Sequence, residues 1–490
     1  MRVGVVGAGP AGLTFASILS REMGASRVDI SVFERGDPKR DQGSGWDLSK
    51  SAQDALQRAG VRVSDVQRKG SDTFRIYRSD RDDLDWCLRM PNFLTRLGIK
   101  KDHLLEGMNP ETERNKIIGG LLNAVSDKPN VQVHHNAKVT GARKTTEGGV
   151  ELLGDKGTSL GKFDLLVDAS GTRSALRHAR FSAEADAFYT GTTYVQGVVY
   201  SPETTWDPEM VRRLGQGTLY IAGPSKDGLG FVEAVAQRYG AKFEDKMCVY
   251  GLRTVTKNPE DIFEEIGLKD LHGISSKKEH LDKVKKYIAN ELSHELWQKQ
   301  SMYRDAFDKI DAVRILPIFM HPFGEKTKKA ALPGTEDLPL IGIGDALHAL
   351  PPWSGTSGNF ALMDASDLAT GLLTFSDSLN EKMEKEEEAG LDRKSLACVV
   401  RDFESQFLDR ADGPRQRCID YSAVQNEKAS STKFEDYEGM MSAVFGKGVT
   451  WNGLKMYAAF KLMTWLSAWE NYGMPKPSAP APAPASATVK

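Results

Sequence analysis

Few cysteines, no long apolar run and almost no net charge are the first features of this sequence, and each absence excludes a class of protein. The four cysteines lie far apart and form no CxxC pair, which indicates reduced thiols rather than a disulfide framework; they are Cys87, Cys248, Cys398 and Cys418. No uncharged apolar run reaches about 18 residues, so no membrane-spanning helix is expected. The net charge of −2 gives no electrostatic reason to expect nucleic acid as a partner.

The remaining composition is that of an ordinary globular protein. The 490 residues are 40% hydrophobic and 27% charged, which is enough for two or three domains with buried cores. The first predicted strand begins at Arg2 and leaves no space for a signal peptide, so we expect a cytoplasmic protein. No His/Cys cluster predicts a metal site, and the sequence does not indicate an oligomeric state.

The N-terminus carries a dinucleotide-binding pattern in its full structural setting. A short apolar strand at residues 2–6 precedes a glycine-rich turn and a helix through about Met23. The turn is Gly7-Ala8-Gly9-Pro10-Ala11-Gly12. In such a turn Gly7 permits the bend, Gly9 lets the backbone approach a diphosphate, and Gly12 allows close helix–strand packing.

The strand that follows, at residues 28–33, ends in an acidic residue at the spacing this pattern requires. Glu34 lies 22 residues beyond Gly12, where its carboxylate can bind ribose hydroxyls. The same carboxylate disfavours a 2′-phosphate, so FAD is predicted at this turn rather than NADP. Arg35 follows directly and can reach the adenosine or the diphosphate.

A second glycine-rich segment follows a short apolar strand at residues 339–343. Its residues are Gly344-Asp345-Ala346-Leu347-His348, Pro351-Pro352 and Gly355-Thr356-Ser357-Gly358-Asn359. Backbone N–H groups of such a loop, with the N-terminus of the helix predicted from Asn359 onward, form an anion site. Asp345 can accept hydrogen bonds from sugar hydroxyls. The segment therefore predicts a flavin site, with an ordinary strand–loop–helix connection as the alternative.

These segments resemble the motifs of the FAD-dependent aromatic hydroxylases, the flavoprotein monooxygenases of the p-hydroxybenzoate hydroxylase class. The nearest branch is that of the tetracycline-inactivating monooxygenases. Residues 168–177 resemble a third motif of the class, which contacts FAD and the nicotinamide cofactor. Gly171, Ser174 and Arg177 are kept, but Ser170 stands where the class has Asp, so the details of reductant binding stay open.

The resemblance implies a set of site residues and a reaction. The predicted cofactor-binding residues are Gly7, Ala8, Gly9, Pro10, Ala11, Gly12, Glu34, Arg35, Asp47, Arg114, Asp345, Gly355, Ser357, Gly358 and Asn359. One non-covalent FAD would be reduced by transiently bound NAD(P)H. A flavin C4a-hydroperoxide formed with O₂ would then hydroxylate or epoxidise an aromatic, enolic or polyketide-like small molecule.

Several of these positions have a second interpretation. Asp47 either contacts the flavin or, like Ser49, caps the next helix. Arg114 faces either the flavin or a surface carboxylate. Gln196 either contacts substrate from a sheet strand or is simply solvated. Pro352 and Trp353 are predicted beside the ring, where they would exclude water, although Trp353 is also consistent with plain packing.

The predicted fold is α/β: a Rossmann-type FAD-binding domain with an inserted antiparallel-sheet substrate domain and a C-terminal helical region. The FAD-binding domain comprises residues 1–180 and 315–380, and the substrate domain comprises residues 181–314. A helical region follows at 381–474 and a disordered Pro/Ala tail at 475–490. Within the helical region, the apolar segment 451–469 predicts a helix packed on its own protein. The alternative is contact with a partner or, peripherally, with a membrane.

Three other functions share parts of this pattern. An FAD halogenase needs a Trp-x-Trp-x-Ile-Pro signature, which Trp451-Asn452-Gly453 does not provide. An FAD oxidase or dehydrogenase would bind the same cofactor without inserting oxygen. A non-enzymatic binding protein of the same fold would lack a working phosphate site, and the intact Gly7, Gly9, Gly12 and Asp345 argue against it.

Overall fold

The structure is a computed structural model. It describes residues 1–37, 45–67, 74–78, 84–88, 112–214, 218–224, 226, 231–239, 247–255, 257–269, 271, 273–298, 301–384 and 393–426. The predictions for the apolar segment 451–469 and the Pro/Ala tail lie outside the described residues, as does most of the polar loop before Asp47.

Three sheets contain the strands of the described residues. The strands are β1 (Arg2–Val6), β2 (Asp29–Phe33), β3 (Phe74–Arg78), β4 (Leu84–Leu88), β5 (Val131–His134), β6 (Val139–Lys144), β7 (Val150–Gly154), β8 (Ser159–Phe163), β9 (Leu165–Asp168), β10 (Phe188–Tyr200), β11 (Thr218–Pro224), β12 (Phe231–Tyr239), β13 (Met247–Val255), β14 (Ala312–Met320) and β15 (Leu340–Gly342).

Helices of very different lengths connect and cover these strands. They are α1 (Pro10–Met23), α2 (Lys50–Arg58), α3 (Val63–Val66), α4 (Arg114–Ser126), α5 (Pro202–Thr205), α6 (Pro208–Leu214), α7 (Asp261–Ile266), α8 (Lys278–Glu291), α9 (Glu295–Gln298), α10 (Ser301–Asp308), α11 (Gly324–Lys329), α12 (Asp345–His348), α13 (Ser357–Glu384) and α14 (Arg393–Asn426). None of these helices combines the length and apolarity that crossing a membrane requires.

The first sheet is parallel, with the strand order β15-β9-β1-β2-β5. β1 and β9 are almost continuously apolar and buried, as expected for strands covered on both faces. α1 packs against the long helix α13, and both contribute to one apolar core with the strands. This is the Rossmann-type arrangement that the sequence predicts, and the predicted fold class is confirmed.

The second sheet has seven strands in the order β14-β10-β13-β12-β11-β3-β4, antiparallel except where β11 pairs with β3. One face packs on α6, α7, α8, α9 and α10 around a second core that includes Val195, Ile315 and Trp297. Two features were not predicted. β3 and β4 come from residues ahead of the inserted segment, and β14 runs across the domain boundary predicted at residue 314.

Two element boundaries have simple causes. Asp164 separates β8, which belongs to the small antiparallel sheet β6-β7-β8, from β9. The chain turns after Glu291, and this turn separates α8 from α9.

Candidate functional site

A cavity of about 380 Å³ opens where four neighbouring strands of the parallel sheet end. Residues that follow the carboxyl ends of β1, β2, β9 and β15 all contribute to its wall, which is where open α/β sheets bind ligands. The lining residues are Gly7, Gly9, Pro10, Ala11, Glu34, Arg35, Gly45, Trp46, Arg114, Ala169, Ser170, Gly171, Ile343, Asp345, Leu350, Pro352, Ser354, Gly355, Thr356, Ser357, Gly358 and Ala361.

The turn after β1 is built around three glycines, each with a different constraint. Gly7 has a φ of +106°, and a Cβ there would lie 2.4 Å from the Ala169 carbonyl oxygen. A Cβ on Gly12 would lie 2.1 Å from the Gly7 carbonyl oxygen, so helix and turn touch. A Cβ on Gly9 would meet nothing within 4 Å. Gly9 therefore leaves open space at the N-terminus of α1, where a ligand can approach the backbone.

Glu34 lines the same cavity, and backbone N–H groups fix its carboxylate. One oxygen accepts a hydrogen bond from the Ala8 N–H at 3.0 Å, and the other accepts one from the Gly36 N–H at 2.7 Å. A carboxylate oxygen has a second lone pair, so both can still accept a hydroxyl hydrogen. Arg35 is exposed beside it at the cavity edge.

On the opposite side, Asp345 and the N-terminus of α13 form the wall. Ser357, the first residue of α13, donates its hydroxyl hydrogen to one carboxylate oxygen of Asp345. Gly355 in the loop before α13 has a φ of +63°, and a Cβ there would meet nothing within 4 Å. Neither α1 nor α13 has an acidic residue in its first turn. Two positive helix ends therefore face one cavity.

Two of the predicted cofactor residues support the wall from behind and do not line the cavity. The Asn359 amide donates to the carbonyl oxygens of Asp47 at 3.0 Å and Gly355 at 3.1 Å, and it accepts from the Ser49 N–H at 2.9 Å. Asn359 thus ties the loop before α2 to the loop before α13. Ser49 caps α2 by accepting from the Ala52 N–H, while the Asp47 side chain is exposed.

Arg114 is the first residue of α4, and it is one of the residues that line the cavity. A cation at a helix N-terminus opposes the helix dipole, so an anion in the cavity would relieve that repulsion. The remaining predicted residues lie as follows. Pro10, Ala11 and Gly358 line the cavity, whereas Ala8 and Gly12 stand behind it in the glycine turn.

The segment after β9 lines the cavity with Ala169, Ser170 and Gly171, and the buried carboxylate of Asp168 at the end of β9 holds it in place. Asp168 accepts hydrogen bonds from the Ser170 N–H at 3.1 Å, from the Ser170 hydroxyl at 2.5 Å and from the Ser174 hydroxyl. Complete burial raises the pKa of Asp168, although these hydrogen bonds oppose the shift. Ser170 is thus engaged with the protein, and its hydroxyl hydrogen does not point at a ligand.

Arg177 connects this segment to the turn that bears Asp345. Its guanidinium donates to the carbonyl oxygens of Ala346 at 2.7 Å, Leu347 at 3.3 Å and Ala185 at 2.9 Å. Burial lowers the pKa of Arg177 to about 10, against the attraction of Asp168. The arginine of the third motif therefore fixes the backbone of α12 through these hydrogen bonds.

A buried ion pair holds the same turn from the other side. Asp364 accepts from the Gly344 N–H at 2.8 Å and from His348 Nε2 at 2.6 Å, and it pairs with Arg410. Burial alone would raise the pKa of Asp364, but His348, Arg410 and the Gly344 N–H together lower it. The backbone that presents Asp345 is therefore fixed at both ends.

The seven-stranded sheet approaches this region through Tyr194 on β10. The Tyr194 ring lies 6.4 Å from the Trp353 ring, centre to centre. Gln196, two residues along β10, is on the same sheet face and accepts from Arg314 Nε at 2.6 Å. Pro352 lines the cavity, whereas Trp353 and Gln196 lie beyond its wall. Of the predicted substrate residues, Trp353 and Gln196 thus lie on the sheet side, while Pro352 is part of the cavity wall.

Trp46 and Thr356 line the cavity but were not among the predicted site residues. Trp46 lies in a polar, glycine-rich loop, where an aromatic residue has no periodic pattern to mark it. A single large aromatic residue between Gly45 and Asp47 was the only available signal, and it does not by itself predict a ligand contact.

The residues that line the cavity fit an FAD molecule in three respects. Gly9 leaves the space that a diphosphate needs, two helix N-termini supply backbone donors, and Glu34 and Asp345 offer carboxylate oxygens to sugar hydroxyls. Among the lining residues described, the charged groups other than these two carboxylates are Arg35 and Arg114. That donor set suits a negatively charged dinucleotide.

Comparisons with other proteins agree with this geometry. No protein-family model matches the chain. The monooxygenase penA of Penicillium thymicola is 24% identical over 422 residues, covering 81% of this chain and 92% of that protein. The monooxygenase asqM of Emericella nidulans is 25% identical over 402 residues, covering 76% and 83%.

Solved structures match over nearly the whole chain. CtdE in complex with FAD and a substrate superposes with a TM-score of 0.62 at 15% identity, covering 96% of this chain and 100% of CtdE. The chain has the fold of the FAD-dependent aromatic hydroxylases. The tetracycline destructase Tet(51) shares this hydroxylase fold at a TM-score of 0.55 and 12% identity, covering 94% and 97%. With relatives that are named monooxygenases, the predicted resemblance and the enzyme class are confirmed.

Proposed function

We propose that this flavoprotein uses NAD(P)H and O₂ to insert one oxygen atom into an aromatic or polyketide-like small molecule. The observation that carries the proposal is the single cavity in which Glu34, the α1 N-terminus, Asp345 and the α13 N-terminus meet. This arrangement suits one extended FAD. When bound, FAD accepts electrons from the reduced nicotinamide and makes O₂ reactive toward an electron-rich carbon.

In this proposal the two sides of the cavity serve the two halves of FAD. Gly9 and the α1 N-terminus hold the diphosphate, and Glu34 binds the ribose hydroxyls. Asp345, oriented by Ser357, accepts a hydrogen bond from the ribityl chain. The α13 N-terminus lies beside it and stabilises negative charge on the reduced ring.

The turn of Leu350 and Pro352 gives the ring side of the cavity an apolar edge. Tyr194 on the facing sheet packs toward Trp353, which lies in the same turn. These groups would exclude water from the reacting face, which suppresses unproductive release of reduced oxygen. We assign substrate contact to Trp353, Gln196 and Pro352.

The residues described along the cavity wall include no His, Lys, Tyr or Cys that could act as a general base. An FAD oxidase or dehydrogenase acting on an alcohol or amine would benefit from such a group. Oxygen insertion into a phenol or enol does not require one, because the substrate is already electron-rich. Oxygen insertion is therefore compatible with this wall, and the labelling experiment below separates it from oxidation without insertion.

The deciding experiment is ¹⁸O₂ labelling. Phenols and polycyclic polyketides are first screened for compounds that accelerate NADH or NADPH oxidation by the purified protein. We expect one ¹⁸O atom per product molecule and FAD, not FMN, in the supernatant after denaturation. Product without the label would remove the monooxygenase proposal and favour the oxidase. A protein that binds no FAD would remove both.

A further inference from the structure

Trp46 lines the cavity on a rigidly held backbone. Its carbonyl oxygen accepts hydrogen bonds from the Thr112 N–H at 3.1 Å and the Thr112 hydroxyl at 2.7 Å. The preceding residue, Gly45, lies so close to Thr112 that a Cβ there would stand 1.6 Å from the carbonyl oxygen. On the other side, Asn359 holds the backbone of Asp47. The loop therefore has little freedom to carry the indole away.

The indole is seated on Gly358, the second residue of α13. A Cβ at position 358 would lie 2.5–2.8 Å from three atoms of the Trp46 ring, so only glycine leaves space for it. The Trp46 Nε1 atom is buried and has no hydrogen-bond partner in the part of the chain that the structure describes. Packing, and not a hydrogen bond, therefore sets the position of the indole.

This position is on the Asp345 side of the cavity. Glu34 and Gly9 occupy the side that suits the adenosine and the diphosphate. Gly358, against which the indole packs, is the second residue of α13, whose N-terminus faces the other half of the ligand. An aromatic side chain at that place is adjacent to the space left for the flavin ring.

We propose that Trp46 forms an aromatic wall against which the flavin ring rests. The inference depends on the proposed FAD site but not on oxygen insertion. Ring-on-ring packing would strengthen flavin retention. An indole in contact with a flavin also donates an electron to the excited ring, so Trp46 would quench flavin fluorescence. Phenylalanine would preserve the first effect and remove the second, because benzene is a poor electron donor.

Two variants separate these effects. In Trp46→Phe we expect the Kd for FAD to stay within about threefold of wild type, because an aromatic ring remains and no hydrogen bond is lost. The fluorescence lifetime of its bound flavin should lengthen several-fold. In Trp46→Ala we expect the lifetime to lengthen as well and the Kd to rise about tenfold. FAD titration of the apoprotein and time-resolved fluorescence measure both quantities without turnover.

A second pair of variants tests the packing contact between the Trp46 indole and Gly358. Gly358→Ala should displace Trp46, so it should raise the Kd for FAD and lengthen the lifetime in the wild-type background. In the Trp46→Ala background the same substitution should have no further effect, which is the coupling expected of touching residues. Trp206→Phe is the matched control. The Trp206 indole donates to the Ala306 carbonyl oxygen at 3.0 Å in the core of the other sheet, and its loss should leave bound flavin unchanged.

The results also separate this inference from the proposed function. If the wild-type protein binds FAD but Trp46→Phe leaves the lifetime unchanged both in the wild-type background and in a Trp353→Phe background, Trp46 does not contact the ring. Additive effects of Trp46→Ala and Gly358→Ala on the Kd for FAD would equally overturn the proposed contact between the indole and Gly358. Wild-type protein without any affinity for FAD would instead overturn the proposed function, whatever the variants do.

Discussion

The two large sheets present their candidate site groups in different ways. On the parallel sheet the backbone of glycine-rich turns contributes to the cavity wall, as at Gly7 and Gly9, and the carboxylates of the wall are fixed by N–H groups or a neighbouring hydroxyl. On the seven-stranded sheet the corresponding groups are half-buried side chains on regular strands, such as Gln196 and Arg314. The candidate site on the parallel sheet depends on the backbone conformation of its turns. The candidate site on the seven-stranded sheet depends on which side chains its strands carry.

This difference suits the two ligands of the proposed reaction. FAD is the same in every turnover, so its site can be built from turns that tolerate almost no substitution. A substrate site on strand faces can change its side chains without changing the fold. If this division is correct, substitutions around the parallel sheet should affect cofactor retention and stability strongly. Substitutions on the strand face should leave cofactor retention unchanged and should affect stability much less.

The largest expected effect on FAD affinity comes from a pair of variants that place valine at two glycines three positions apart. In Gly9→Val the side chain enters open space, so the protein should fold normally. It would occupy the position of the diphosphate, and FAD affinity should fall at least about a hundredfold, or ~3 kcal/mol. In Gly12→Val the side chain would collide with the Gly7 carbonyl oxygen 2.1 Å away, so folding itself should suffer, by about 1–3 kcal/mol.

Near-UV circular dichroism and FAD titration distinguish the two results. A Gly9→Val protein that keeps FAD at wild-type occupancy through dialysis would place the cofactor elsewhere. A Gly12→Val protein with unchanged stability would show that the turn can relax, and the contrast between backbone-built and side-chain-built regions would weaken.

The same contrast explains which parts could be predicted from the sequence. The glycine turn was predictable because Gly7 and Gly12 satisfy local constraints, a positive φ and a close approach, that act within a few residues. Glu34 follows from its distance along one strand–helix–strand unit. Asp345 was predictable for the same reason, since only Ile343 and Gly344 separate it from the end of the short strand β15.

The rest depends on contacts between distant segments. The pairing of β3 with β11 joins residues from separate parts of the chain, and nothing local in either strand encodes the partner. Asn359 was assigned to the cofactor because it closes the motif, yet its amide braces Asp47, more than 300 residues earlier. Trp46 acquires a place in the cavity only through its contact with Gly358, which no periodic pattern shows.

The next contrast concerns stability and uses the polar pairs of the two regions. Asp364→Asn removes a buried charge that His348 and Arg410 share, and loss of one partner of a buried ion pair costs about 3–5 kcal/mol. Asparagine can still accept from the Gly344 N–H, but its NH₂ group then faces the Arg410 guanidinium, so the loss reports the charge together with the hydrogen bond to Arg410. Gln196→Leu on the strand face should cost less than about 1.5 kcal/mol, because it removes a single hydrogen bond.

Urea unfolding followed by tryptophan fluorescence measures both variants, and FAD titration shows whether the Asp345 turn has moved. Equal destabilisation by Asp364→Asn and Gln196→Leu would contradict the proposed difference between the regions. A loss of FAD affinity in Gln196→Leu would contradict it as well, since Gln196 stands outside the cavity wall.

The smallest effect is expected where the two sheets meet. His321, just after β14, exchanges two hydrogen bonds with Ala349: its N–H donates to the Ala349 carbonyl oxygen at 3.1 Å, and its Nδ1 accepts from the Ala349 N–H at 2.9 Å. Burial lowers the pKa of His321 well below its ordinary value, and Arg177, His348 and Arg415 add to the shift. The folded protein therefore keeps this imidazole neutral.

The unfolded chain binds the proton first, at a pH near 6.5, so the stabilising effect of a neutral His321 is complete above that pH. It is lost as the pH falls, by up to about 1.4 kcal/mol per pH unit. His321→Asn keeps an acceptor for the Ala349 N–H but cannot titrate, so its unfolding free energy should decline less between pH 7.5 and 5.5. Asp364 does not interfere, because its lowered pKa moves its titration below this range. Parallel pH profiles for wild type and variant would mean that protonation of His321 does not weaken the contact between the two sheets.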